Sequence, residues 1–200
     1  LVGEGGPILA MGPAANWMGK TWPIDRFGRL ANELLDAGGP MAGGRLMILG
    51  GPEDVRYVEP LTQAMPRDRL IDLTGQADLL TVYAVLKRVR LFVGNDSGLM
   101  HLAAAAGAPT VGLFGPSDDR LYAPWGEHVR TVRGPRSFEQ FQAVDPDLNQ
   151  AIGHMMDLPV SAVLRACREL LEETEWEGAE DYEDAETGGE ILPSGGGGSP

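Results

Sequence analysis

Short apolar runs alternate with amphipathic stretches along most of this chain. Pro7–Met11, Arg45–Leu49, Leu70–Leu73, Arg90–Val93, Thr110–Phe114 and Val129–Val132 read as strands. Between them, Ile24–Leu35 puts Phe27, Leu30, Ala31, Leu34 and Leu35 at helical spacing behind Pro23, and Gly38-Gly39 ends the run. Glu53–Met65, with Pro60 as an interruption near its middle, Leu79–Arg88 and Gly98–Ala106 read as further helices. Ser161–Glu173 is the last, with Val163, Leu164, Cys167, Leu170 and Leu171 on one face, which packs either on this domain or on a neighbouring one.

Strands separated by single helices call for crossover connections and a parallel sheet. The strand segments are continuous apolar runs rather than alternating ones, as expected where helices cover both faces. The fold class is therefore α/β: a Rossmann-like, doubly wound parallel sheet over residues 7 to about 134. Residues 1–174 form the expected domain. Residues 175–200 are acidic, then Gly-rich, with too little apolar surface to offset ordering entropy, and read as a disordered tail. No internal repeat is visible.

Composition changes this picture in one respect. The formal net charge of −13 belongs to the C-terminal end. From Glu169 onward eleven acids stand without a Lys or Arg, which leaves 18 acids against 16 bases in the body. No basic cluster suggests a nucleic-acid surface. Cys167 is the only cysteine, so no internal disulfide can form, and its helical position reads as core. The opening Leu1-Val2-Gly3-Glu4 lacks a basic leader, and no apolar run reaches the roughly 20 residues of a membrane span. The chain opens without Met and is expected to be a piece of a longer protein.

Ligands of open α/β sheets bind beyond the carboxyl ends of the strands. Four features fall there. After the first strand, Lys20 stands three residues before Pro23, beside a helix N-terminus, where its ammonium suits a diphosphate; a plain surface lysine is the alternative. Gly19-Lys20-Thr21 resembles the end of a P-loop, but Pro13 stands where the first glycine is needed. After the second strand, Gly50-Gly51-Pro52-Glu53 sets Glu53 to accept from a sugar hydroxyl or to serve as a helix-dipole acid. After the third, Leu73-Thr74-Gly75 suits the edge of a base or an ordinary strand exit.

The fourth feature is the strongest: Asn95-Asp96-Ser97-Gly98-Leu99-Met100-His101 opening the helix Gly98–Ala106. Asp96 or Ser97 can cap that helix. Capping alone does not account for Gly98 and His101, where a phosphate oxygen can reach backbone N–H groups and an imidazole together. His128 and His154 read as surface or loop residues. No Cys or carboxylate stands at ligand spacing to build a zinc site.

These features in this order resemble the C-terminal half of the family 9 glycosyltransferases, the ADP-heptose:lipopolysaccharide heptosyltransferases. Lys20-Thr21-Trp22-Pro23, Leu49-Gly50-Gly51-Pro52-Glu53, Asp72-Leu73-Thr74-Gly75, Asn95 to Ala103, Val111 to Ser117 and Pro124-Trp125-Gly126 carry the likeness, which covers roughly residues 7 to 130. It implies the donor-binding half of a two-domain GT-B enzyme. Lys20 and the turn Ser97-Gly98-Leu99-Met100-His101 would hold the donor diphosphate. Asp96 would touch the sugar or orient the turn, Glu53 would hold the ribose, and Leu73-Thr74 would border the adenine.

The resemblance further implies inversion at the anomeric carbon with no cofactor or metal, and ADP-heptose as the substrate. Lys20 is the catalytic candidate here. The base would be an aspartate in a partner N-terminal domain that also takes a glycolipid or glycan acceptor. This fragment alone would then be inactive, cytoplasmic, and in peripheral contact with the inner membrane. Two other readings stay open: a non-catalytic nucleotide-sugar-binding module, and an epimerase of GT-B type.

Overall fold

The computed structural model describes residues 5–147 and 153–174; the tail read as disordered lies outside them. Six strands, β1 (Ile8–Gly12), β2 (Arg45–Ile48), β3 (Leu70–Asp72), β4 (Leu91–Asn95), β5 (Thr110–Phe114) and β6 (Val129–Arg133), form one sheet in the order β3-β2-β1-β4-β5-β6. All five pairings are parallel. Every residue of β1, β4 and β5 is buried, which is why these strands read as unbroken apolar runs. Strand order reverses between β1 and β4, so the crevice of a doubly wound sheet opens there.

Alternation along the strands sorts side chains between two cores. Leu9, Met11, Leu46, Ile48, Leu91 and Val93 face one core, with α1 (Ile24–Leu35), α2 (Val55–Ala64) and α7 (Val160–Glu173). Ile8, Ala10, Met47 and Phe92 face the other, with α3 (Leu79–Leu86) and α4 (Gly98–Ala105). α7 packs on α1, β5 and β6 of this same domain and buries Cys167 completely, so burial pushes that thiol up and keeps it protonated.

Three expectations need correction. Pro60 does not interrupt its helix. A 3-10 turn (Pro52–Asp54) leads into an unbroken α2 in which Pro60 is exposed while Val58 and Leu61 are buried, so packing on α1 outweighs the lost backbone bond. β4 runs two residues past Val93, which carries Asn95 to the crevice. His154 is neither a surface nor a loose loop residue: it is 1% exposed, with the Trp17 and Phe141 rings against its imidazole.

Two short helices lie outside the hydrophobic pattern, α5 (Asp119–Tyr122) and α6 (Phe138–Val144). Both are set by caps. Asp118 accepts from the Arg120 N–H at 3.1 Å. Ser137 and Gln140 form a reciprocal capping box, a signal that was present in the sequence.

Candidate donor site at the strand-order reversal

Two buried glycines lie side by side at the strand-order reversal. Gly12 ends β1 beside Gly94 of β4. A Cβ at Gly12 would come within 3.0 Å of the Phe92 ring, and one at Gly94 within 2.7 Å. Both positions must stay bare for Phe92 to pack beneath them.

Lys20 ends a 3-10 turn (Met18–Lys20) on the β1 side, and Asp96 follows β4 on the other. Their side chains meet across the crevice, Lys20 Nζ to Asp96 Oδ2 at 2.7 Å. The Asp96 side chain is 7% exposed and that of Lys20 27%, so the pair is part-buried, with the lysine the more accessible partner. The Tyr122 ring lies 5.9 Å from the same ammonium. Asp96 is thereby committed to Lys20 and does not cap α4.

Ser97 occupies the N-cap position of α4 but makes no side-chain cap bond, and its Oγ is buried without a partner among the described residues. The first backbone donor to bond within this end is the Met100 N–H, to Ser97 O at 3.2 Å, followed by the His101 N–H at 3.5 Å. The earlier N–H groups of Gly98 and Leu99 precede the helical ladder. Gly98 is exposed with open space where a Cβ would be, and His101 is exposed one turn further. The first turn of α4, with its Gly98 and Leu99 amides, thus follows directly on the Asp96 that holds the Lys20 ammonium, an arrangement suited to a phosphate.

The loop bearing Lys20 is held by residues to which the sequence reading gave no role. Asn95 is fully buried; its Oδ1 accepts from the Trp22 N–H at 3.0 Å and its Nδ2 donates to Pro13 O at 2.7 Å. The Trp22 indole donates to Leu158 O at 2.9 Å, and Arg26 donates to the carbonyls of Leu158 and Met156. The Tyr57 hydroxyl donates to Trp22 O at 3.2 Å; burial, then the nearby Asp25, pushes its pKa up to about 12. On the β5 side, Arg133 donates to the carbonyls of Gly115 and Ser117 and to Asp119, fixing the turn that follows Leu113-Phe114.

The remaining candidates line the β2 and β3 exits. The Gly75 N–H donates to Gly50 O at 3.0 Å, which joins the two exit loops. Gly75 has φ +68°, and a Cβ there would lie 2.9 Å from Pro52 Cα, so a side chain is excluded twice over. Asp54, not Glu53, completes the adjoining turn by accepting from the Gly51 N–H at 2.8 Å. Glu53 stays solvent-exposed. Thr74 is 3% exposed with its Oγ1 unpartnered among the described residues. Leu73 and Met100 differ from the rest: both side chains lie in the core beneath α3 and α4, with the Met100 sulfur against Gly112.

The structure therefore brings Lys20, Asp96, Ser97, Gly98 and His101 to one rim, and Glu53 and Thr74 to the adjoining loops. It turns the side chains of Leu73 and Met100 inward. No group of three or more His, Cys, Asp or Glu able to hold a metal ion is found among the described residues.

The sequence matches the family described as glycosyltransferase family 9 (heptosyltransferase) over residues 2–150. The chain belongs to that family. Among similar proteins, lipooligosaccharide heptosyltransferase 2 of Haemophilus influenzae is 31% identical over 137 residues, 66% of this chain and 38% of that protein. Lipopolysaccharide heptosyltransferase 2 of Escherichia coli K12 is 28% identical over 131 residues, 64% of this chain and 36% of that protein. The chain thus spans less than two fifths of the length of these two curated relatives.

Among solved structures, a family 9 glycosyltransferase of Veillonella parvula superposes with a TM-score of 0.71 at 25% identity, over 84% of this chain and 47% of that one. The ADP-heptose lipopolysaccharide heptosyltransferase II of E. coli gives 0.70 at 24% identity, over 86% and 48%. No helix among the described residues is long and apolar enough to cross a membrane.

Proposed function

We propose that this chain carries the donor site of an inverting heptosyltransferase, which moves heptose from ADP-heptose to a hydroxyl of a lipopolysaccharide-type acceptor. Family membership supports the reaction class. One observation carries the site: the Lys20 ammonium, held by Asp96 at 2.7 Å, stands beside the open first turn of α4 at the strand-order reversal. In this reading residues 1–174 are the donor-binding unit. The acceptor site and the base that deprotonates the acceptor hydroxyl belong to sequence beyond this chain. The setting is the cytoplasm, at the face of the inner membrane.

Negative charge grows on the leaving diphosphate as the acceptor oxygen attacks the anomeric carbon. Lys20, the Gly98 and Leu99 amides, the Ser97 hydroxyl and His101 are prearranged around the position where that charge develops. Such prearrangement lowers the barrier because the donors need not reorganise during reaction. Asp96 orients Lys20 and meets the sugar. Glu53 takes the ribose hydroxyls and Thr74 lies at the base. No metal or other cofactor is assigned a step.

The test is Lys20→Ala in the full-length enzyme. Turnover should fall by about 10²–10³ while the protein keeps a cooperative melt. Unchanged turnover with ADP-heptose and acceptor would remove Lys20 from the mechanism.

A further inference from the structure

One cluster of buried polar and aromatic groups has no part in the donor site yet lies against it. His154 begins a 3-10 turn (His154–Asp157) that packs on the turn bearing Lys20. Its Nε2 lies 3.4 Å from Asp145 Oδ2, and both side chains are 1% exposed. The Phe141 ring meets its imidazole edge-on at 5.3 Å, and the Trp17 indole does so at 5.8 Å. Arg136 stacks 4.2 Å over Phe141 and donates to His154 O at 2.7 Å, which clamps the backbone of this turn.

Trp17 connects the cluster to the crevice. It is the residue before the Met18–Lys20 turn, and its carbonyl accepts both the Lys20 N–H and the Thr21 hydroxyl at 3.1 Å. Its indole folds back over that turn: a Cβ at Gly19 would come within 2.5 Å of the Trp17 ring. Trp17 Nε1 and His154 Nδ1 are both buried without partners among the described residues. The Asp145 contact on Nε2 and the Phe141 ring fix the orientation of the imidazole that the indole packs against. A bulky, half-buried indole is thus braced by a locked imidazole, and the backbone it anchors carries the ammonium.

We propose that His154 is a positioning residue for Lys20, acting through the Trp17 indole. This rests on the donor-site reading, so its test must separate the two. ADP is titrated by calorimetry into the full chain and its Trp17→Ala, His154→Ala and Lys20→Ala variants, singly and in pairs, with thermal melting of each.

Trp17→Ala and His154→Ala should each weaken ADP binding about tenfold. Their combination should weaken it no more than either alone, and neither should matter further once Lys20 is alanine. Trp17→Phe should restore most of the affinity. If His154→Ala fails to fold, His154→Phe, which keeps a ring against Trp17, should bind ADP as the parent does, while Trp17→Ala still shows the loss.

Parental affinity in Trp17→Ala or in a folded His154→Ala, or losses that add fully to that of Lys20→Ala, would overturn the inference. Parental affinity in Lys20→Ala alone would instead overturn the donor-site reading, and this inference with it.

Discussion

Both ends of the Asn95 amide are engaged by backbone 73 and 82 residues away, at Trp22 and Pro13. A buried side chain used in this way holds the Lys20 loop against the end of β4. Asn95→Ala would orphan one buried N–H and one buried C=O, at about 1–3 kcal/mol each. Denaturant melts should show that loss; a variant as stable as the parent would mean the loop is held by other contacts. Lys20 itself was legible as a candidate because it precedes a helix beyond a strand end. Its partner was not legible, since nothing in a linear motif shows that residue 20 meets residue 96. His154 was misread for the same reason: its burial depends on Trp17 and Phe141 arriving from distant segments.

At the scale of elements, α2 tests how far packing overrides local preference. Pro60 removes one backbone bond from the helix interior, yet the helix persists because Val58 and Leu61 are buried against α1. Pro60→Ala should stabilise the domain by up to about 3 kcal/mol, read as a higher melting temperature. A lower one would mean that the proline is needed for the shape of the helix.

The α5–α6 region offers a second test, through pH. Arg120 pairs with Asp118 at 2.8 Å and with Glu139 at 2.9 Å. The Asp118 carboxyl is held below its ordinary range, first by hydrogen bonding to Arg120. Glu139 is also held low, by hydrogen bonds at the start of α6 and then by Arg120. A carboxyl with a depressed folded-state pKa stabilises the fold above its unfolded value, near 4, and that contribution is lost as pH falls through the folded value. The melting temperature of an Arg120→Gln variant should therefore trail the parent at neutral pH and begin to converge with it as pH falls below about 4. A constant gap across that window would show that the ion pairs contribute nothing measurable.

These elements also show what a single sequence conveys. All six strands and the five longest helices were legible from hydrophobic spacing: burial on two faces leaves an apolar run in β1, β4 and β5, and burial on one leaves a helical stripe. α5 and α6 were missed because four and seven residues are too few for a period to register. Capping bonds define both, so the Ser137–Gln140 pair was the usable signal for α6.

At the scale of the molecule, the strand order β3-β2-β1-β4-β5-β6 explains why four motifs lying between Lys20 and His101 converge. Each follows a strand, and the strands are parallel, so all four exits open on one edge. The reversal between β1 and β4 sets Lys20 opposite Asp96 and the first turn of α4. In the proposed reading this rim holds the diphosphate of a nucleotide. Calorimetric titration of the chain with ADP, beside the same titration of Lys20→Ala, tests it most directly. Saturable binding at one site, lost or weakened at least tenfold in the variant, is expected. Absence of binding to the parent chain, or equal affinity in the two, would contradict it.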